Sequence, residues 1–124
     1  MLIAPGRDGQ DGISAVVQWL CGVLTTRLTT RLVGGLAGIT DMKLVGSWRG
    51  GGREPEPAVE ERLRFAYGTL RNIEAARGRR GAQAWSMTMN PRLNGCSPIK
   101  AIREGRYPET ATAAEALLED GYNG

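Results

Sequence analysis

The side chains best placed to do chemistry lie in one predicted helix in the first half of the chain. A helix that starts after Asp41 would place Leu44, Val45 and Trp48 on one apolar face. Its opposite face would carry Met42, Lys43, Gly46 and Ser47. This second face is cationic, polar and sterically open at the glycine, which is typical of a recognition helix that contacts base edges in the DNA major groove.

A second helix and a tight turn are predicted immediately before this segment. Leu32, Leu36 and Ile39 recur at helical spacing, and Gly38 suits the positive φ at which such a helix ends. Thr40 and Asp41 then offer side-chain oxygens that can cap the next helix. Residues 28–48 therefore predict a helix-turn-helix. Two helices joined by a glycine-containing turn also occur as a packed hairpin without a DNA role, so this alternative stays open.

Hydroxyl and guanidinium groups on both sides of this segment could bind the phosphate backbone. The candidate DNA-binding residues are Arg27, Thr29, Thr30, Arg31, Thr40, Met42, Lys43, Gly46, Ser47, Arg49 and Arg53. Arg49 and Arg53 follow the predicted recognition helix, where they could clamp phosphates or reach a minor groove. The threonines could equally be helix caps.

The charge of the chain is concentrated in its middle. Between Arg27 and Arg92 there are twelve basic and six acidic side chains, whereas the whole chain has a net charge of only +3. Fourteen of the sixteen basic residues are arginine, the side chain that pairs with phosphate bidentately. A basic middle and a mildly acidic C-terminal part favour nucleic acid at one place and a protein partner at another.

Several function classes are not expected from the composition. The chain has no histidine, so it lacks the commonest general base and metal ligand, and its two cysteines are too few for a structural zinc site. The glycines at 50–52 are not followed by the lysine and hydroxyl residue of a phosphate-binding loop. We therefore expect no enzyme, no metal and no cofactor.

The sequence also favours a cytoplasmic setting. No apolar run is long enough to span a membrane, and the N-terminus lacks the pattern of a signal peptide. Cys21 and Cys96 are expected to be reduced thiols rather than a disulfide.

The remaining periodic segments are all helical. We predict helices over residues 13–24, 57–77, from Ala82 to Met89, after Pro98, and from about Pro108 to Gly121. The buried stripe of the longest helix is Val59, Leu63, Ala66, Tyr67, Leu70 and Ile73. Residues 77–81 are predicted as a basic hinge, and residues 49–57 as a mobile loop without regular structure.

These elements predict an all-α fold in which an N-terminal helix-turn-helix domain is joined by a long helix to a small C-terminal helical domain. Residues 1–12 would form a flexible arm, residues 13–77 the helix-turn-helix domain with its linking helix, and residues 78–124 the small helical domain.

Two stretches resemble a known family when they are taken together. The first comprises Gly38, Ile39, Asp41, Val45, Gly46, Trp48, Pro55, Glu61, Arg62, Leu63, Arg64, Ala66 and Tyr67. The second comprises Ala84, Trp85, Met89, Asn90, Pro91, Leu93, Ser97, Pro98, Ile102, Glu104 and Gly105. In this order they resemble the helix-turn-helix and the toxin-binding domain of Xre/MbcA/ParS-type antitoxins, over roughly residues 28–120.

The resemblance implies a homodimeric repressor that binds double-stranded DNA at the operator of its own operon. It also implies that the C-terminal half neutralises a cognate RES-domain toxin, which consumes NAD. Trp85, Asn90, Pro91, Pro98 and Gly105 would be scaffold there. The toxin-contacting surface would lie on the last helix and tail, with Leu117, Leu118 and Tyr122 as anchors. The glycines at 50–52 and the short tail depart from the family pattern.

Two alternatives remain open at the level of the sequence. Immunity repressors of actinobacterial phages look similar over the same halves. A protein-interaction module that does not bind DNA is the third hypothesis.

Overall fold

A computed structural model describes residues 12–24, 35–38 and 42–120 of the chain. Within these ranges the protein is helical and contains no β-strand, which confirms the all-α prediction. The helices are α1 (Ile13–Leu24), α2 (Met42–Gly50), α3 (Pro57–Met87), a 3₁₀ helix (Pro91–Leu93), α4 (Pro98–Arg103) and α5 (Tyr107–Asp120). A helical turn at residues 35–37 precedes α2.

The first helix packs against α2 and α3 through aliphatic side chains. Val16, Val17 and Leu20 recur at helical spacing and are completely buried. Trp19 lies at the edge of this stripe, where its ring meets that of Tyr67 edge-on with the centroids 5.4 Å apart. Trp19 therefore packs within its own chain.

The long helix α3 is the spine of the molecule. All six residues of its predicted stripe are buried, from Val59 to Ile73, and they belong to one hydrophobic cluster with α1 and α2. Pro57 occupies the first turn, where its missing N–H leaves no hydrogen bond unmade. The helical period of the sequence therefore located this helix and its buried face correctly.

The predicted hinge at 77–81 is confined to one residue. Gly78 has φ +80° and ψ 171°, while the residues on both sides are helical. A side chain disfavours this combination strongly, so only glycine adopts it readily. A Cβ atom on Gly81 would lie 2.7 Å from Cβ of Arg77, so the bend also needs a second glycine one turn later.

The second part of α3 ends earlier than predicted. The helix stops at Met87, and the Thr88 backbone N–H and hydroxyl both donate to the Ala84 carbonyl oxygen. Met89 therefore lies outside the helix, and 75% of its surface is exposed. Asn90 next accepts a hydrogen bond from the Arg92 N–H and starts the 3₁₀ helix.

Helix α4 follows Pro98, as predicted, and is capped at both ends. The Ser97 hydroxyl accepts a hydrogen bond from the Lys100 N–H at 3.2 Å, and Pro98 occupies the first turn of α4. Gly105 has φ +79° and closes the C-terminal end: its N–H donates to the Ile102 carbonyl oxygen, and the Arg106 N–H donates to that of Ala101. Helix α5 then begins at Tyr107, one residue before the predicted start.

One hydrophobic cluster crosses the predicted domain boundary at residue 78. Ile102 and Ala114 from the C-terminal part belong to the same cluster as Val16 and Leu63. A smaller cluster contains Leu93, Ala101 and Ala113. The two parts of the chain therefore share an interior.

Candidate nucleic-acid interface

Helix α2 buries the apolar face that the sequence predicted. Val45 is fully buried and Trp48 is 3% exposed, while Leu44 is partly buried against the same cluster. These three side chains hold α2 against α1 and the main core.

The opposite face of α2 is open to solvent. Lys43, Gly46 and Arg49 are exposed, and Ser47 is intermediate. A Cβ atom built on Gly46 would meet nothing within 4 Å. A surface helix without bulk at its centre can approach another surface closely, as insertion into a major groove requires.

The turn before α2 is fixed by backbone geometry and by an arginine of α3. Gly38 has φ +79°, and its N–H donates to the Gly35 carbonyl oxygen at 3.2 Å, which confirms the predicted helix end. The Arg62 guanidinium donates to the Ala37 carbonyl oxygen at 2.9 Å. Because that carbonyl lies at a helix C-terminus, the cationic donor also complements the helix dipole.

The turn also lies close to α4, and Arg62 links it to α5. A Cβ on Gly38 would lie 3.6 Å from Cγ of Arg103, which is an ordinary van der Waals distance. Arg62 lies beside Tyr107 of α5: burial raises the pKa of the Tyr107 hydroxyl, and Arg62 partly opposes that effect. Side chains from both halves of the chain therefore lie around the turn before α2.

The prediction that residues 49–57 lack regular structure is correct for residues 51–56 and wrong at its two ends. Arg49 and Gly50 belong to α2, and Pro57 begins α3. Gly51 has φ +81°, its N–H donates to the Trp48 carbonyl oxygen, and the Gly52 N–H donates to that of Ser47. These two bonds form a Schellman motif, in which glycine supplies the left-handed residue.

Two side chains of α1 complete this helix end. The Ser14 hydroxyl donates to the Arg49 carbonyl oxygen at 2.6 Å, and the Gln18 amide donates to the same atom at 3.1 Å. Neither contact was predicted from the sequence. Ser14 and Gln18 are four residues apart, which puts both side chains on one helix face, and this spacing is the feature that indicates a shared contact.

The structure describes only some of the predicted DNA-binding residues. Lys43, Gly46, Ser47 and Arg49 share α2, and Arg53 is exposed in the segment that follows it. The side chain of Met42 and the residues Arg27, Thr29, Thr30, Arg31 and Thr40 lie outside the described part of the chain, as do Asp41, Leu32 and Ile39.

The predicted partner anchors face their own molecule. Leu117 and Leu118 are partly buried and pack against the main hydrophobic cluster, and Tyr122 lies outside the described residues. Leu117 nevertheless lines a groove of about 330 Å³ together with Trp85, Met89 and Pro91. Arg77 also lines this groove, and its side chain is exposed.

The two cysteines differ in burial. Both are free thiols; Cys21 is buried and Cys96 is partly exposed. Burial raises the pKa of the Cys21 thiol, and the nearby Arg49 guanidinium opposes this effect. Among the described residues, no three histidine, cysteine or acidic side chains are grouped to hold a metal ion. No helix in this part of the chain is long and apolar enough to cross a membrane.

Comparisons with models of known protein families, with curated proteins and with solved structures gave no match to this chain.

Proposed function

We propose that this protein binds double-stranded DNA sequence-specifically, with α2 in the major groove, and represses the operon that encodes it. The observation that carries the proposal is the two-sided character of α2. Val45 and Trp48 fix the helix to the core, while Lys43 and Gly46 are exposed on the other side. Such a helix is held rigidly enough to position base contacts and is open enough to enter a groove.

The surrounding geometry supports the same proposal. The left-handed Gly38 turn precedes α2, and the Gly51 cap ends it after nine residues. Arg49 and Arg53 follow the recognition face, where cationic side chains can bind phosphates. In a homodimer, two copies of α2 would contact half-sites about ten base pairs apart.

The test uses Gly46→Leu, which adds a branched side chain to the exposed face without contacting the interior. We expect binding to the upstream region of the gene to fall at least about tenfold, because a leucine at the groove separates the two surfaces. The measurement is fluorescence anisotropy with that duplex and with a shuffled duplex, and circular dichroism checks the fold.

The matched control is Thr112→Leu, which adds a leucine at an exposed position of α5. It should bind DNA like the parent protein. Equal affinities for Gly46→Leu and the parent protein would place the DNA-binding surface elsewhere.

We further propose an antitoxin role, in which the C-terminal half binds and neutralises a co-encoded toxin. The groove beside Leu117 supports this extension because Met89 at its rim is an exposed apolar side chain. Its neighbours Thr88 and Asn90 both have hydrogen-bonded backbone N–H groups. An immunity repressor of a phage would use the same DNA-binding surface without a toxin partner.

Co-expression with the neighbouring gene distinguishes the two roles. If the antitoxin proposal holds, the full chain restores growth, while Met89→Glu or removal of residues 119–124 reduces protection and leaves DNA affinity unchanged. A neighbouring gene that is harmless when expressed alone would contradict the antitoxin role and leave the immunity repressor.

A further inference from the structure

Three arginines surround the solvent-facing side of α1, although α1 itself carries no charge. Its twelve residues, ISAVVQWLCGVL, include no acidic or basic side chain. Ala15, Gln18 and Gly22 are its exposed residues. At 100° per residue these three positions fall within one narrow arc of the helix. Ala15, Gln18 and Gly22 therefore form the open face of α1.

Arg49 marks the first border of the open face. Ser14 and Gln18 hold the Arg49 carbonyl oxygen, so the C-terminal end of α2 is fixed beside the N-terminal half of α1. The Arg49 side chain is exposed, and its positive charge opposes the rise in the pKa of the Cys21 thiol. Arg49 therefore lies beside α1, next to Gln18 of the open face.

Arg79 marks the C-terminal end of the open face. A Cβ on Gly22 would lie 3.3 Å from Nη1 of Arg79, so the guanidinium rests directly on the helix at this glycine. Arg79 Nε also donates to Glu74 at 3.1 Å, and 54% of the Arg79 side chain is exposed. The bend at Gly78 turns the chain immediately before Arg79.

Arg71 borders the remaining edge, next to Trp19. Its guanidinium carbon lies 5.8 Å from the centroid of the Trp19 ring and 5.4 Å from that of Tyr67, and its Nη1 donates to the Tyr67 hydroxyl at 2.8 Å. Stacking and hydrogen bonding hold this guanidinium in place before any ligand arrives.

We propose that the open face of α1, with Arg49, Arg71 and Arg79, binds the sugar–phosphate backbone of DNA beside the segment that α2 contacts. Small and uncharged side chains let a strand approach α1 closely, and the arginines pair with its phosphates. From Ser14 to Gly22 the helix rises about 12 Å, which covers several phosphates at 3.4 Å of duplex axis each. This inference rests on the proposed DNA binding and extends its footprint.

The test is the salt dependence of binding, measured by anisotropy between about 50 and 200 mM salt. Arg79→Ala should lower the slope of log affinity against log salt by about 0.9 and lower affinity roughly fivefold to tenfold at 0.1 M salt. Ala15→Glu should weaken binding because it places a negative charge on the open face at an exposed position. Glu74→Gln should strengthen binding because it removes the carboxylate that competes for Arg79.

The charge-matched control is Arg92→Ala, an exposed arginine of the 3₁₀ helix. It should leave the slope and the ratio of specific to non-specific affinity unchanged. Equal slopes and affinities for Arg79→Ala and Arg92→Ala would overturn the inference.

These variants separate a phosphate contact at α1 from the proposed role of α2. Loss of affinity in Arg79→Ala and Ala15→Glu, combined with no effect of Gly46→Leu, would support the phosphate contact and contradict the role of α2. The reverse pattern would support α2 and overturn the phosphate contact. If the parent protein binds no duplex at low salt, both are overturned.

Discussion

Arg62 illustrates how the candidate interface depends on side chains that lie outside it. It joins the carbonyl of Ala37 to α3 and lies beside Tyr107, so one guanidinium connects the turn before α2 with the last helix. Nothing in the local sequence distinguishes Arg62 from Arg64, which pairs with Glu60 one turn earlier. Only the three-dimensional packing decides which of the two arginines positions the turn.

The two cysteines should differ in reactivity. Burial raises the pKa of the Cys21 thiol, whereas Cys96 is only partly buried. In the native protein at pH 8, we expect a thiol reagent to modify Cys96 at least about tenfold faster than Cys21, because the thiolate is the reactive species. Mass spectrometry of the labelled protein measures the two rates.

The raised pKa of Cys21 also has a consequence for stability. Since the unfolded chain releases this proton at a lower pH than the folded chain does, the stabilising effect of the neutral buried thiol is complete below the unfolded pKa and is lost as the pH rises through the folded pKa. Cys21→Ala should therefore flatten the decline of stability above about pH 8.5. Preferential labelling of Cys21 in the native state would contradict its burial.

At the scale of elements, the bend in α3 gives a direct test of backbone strain. Gly78→Ala should lower the free energy of unfolding by about 1 to 3 kcal/mol, because alanine disfavours φ +80° with ψ 171°. Gly68→Ala, at a straight position of the same helix, should instead raise it by about 0.5 to 1 kcal/mol. Urea unfolding measures both, and equal effects of the two substitutions would contradict the bend.

The tryptophans test which helices form the core. Trp48→Ala should lower the free energy of unfolding by about 3 to 5 kcal/mol, because the ring is 3% exposed. Trp85 was predicted to fill a core but is only partly buried between the two clusters. We therefore expect a smaller loss of about 1 to 3 kcal/mol for Trp85→Ala. A Trp48→Ala protein that melts like the parent would show that the apolar face of α2 is assigned wrongly.

Elements held by contacts between residues close in sequence were predicted correctly, whereas contacts between distant residues were missed. The stripe of α3 and the start of α4 after Pro98 follow from local periodicity and local backbone geometry, and both were predicted correctly. The ordered end of α2 was missed because its Arg49 carbonyl is satisfied by Ser14 and Gln18, more than thirty residues earlier. The hinge was predicted only to within a few residues. Gly78 and Gly81 both lie in the predicted range, and only the backbone angles show that the chain bends at Gly78.

At the scale of the whole molecule, the position of α2 depends on packing that no local pattern reveals. Ile102, Ala114 and Leu118 from the C-terminal part join the cluster that also holds Trp48. Changes in the C-terminal helices should therefore affect the stability of the part that contains α2 as well. The sequence separated the two parts at residue 78 because the glycines there interrupt the periodicity, and such an interruption does not exclude a shared core.

The central claim is that the exposed face of α2 recognises base sequence, and selection from a randomised DNA pool tests it directly. We expect the parent protein to enrich a motif with two half-sites about ten base pairs apart. Lys43→Ala should lose the preference at one position of each half-site, equivalent to about 1 to 3 kcal/mol of discrimination. Lys100→Ala, which removes the only other lysine, should enrich the parent motif. A pool without enrichment by the parent protein, or an identical motif with Lys43→Ala and Gly46→Leu, would contradict the claim.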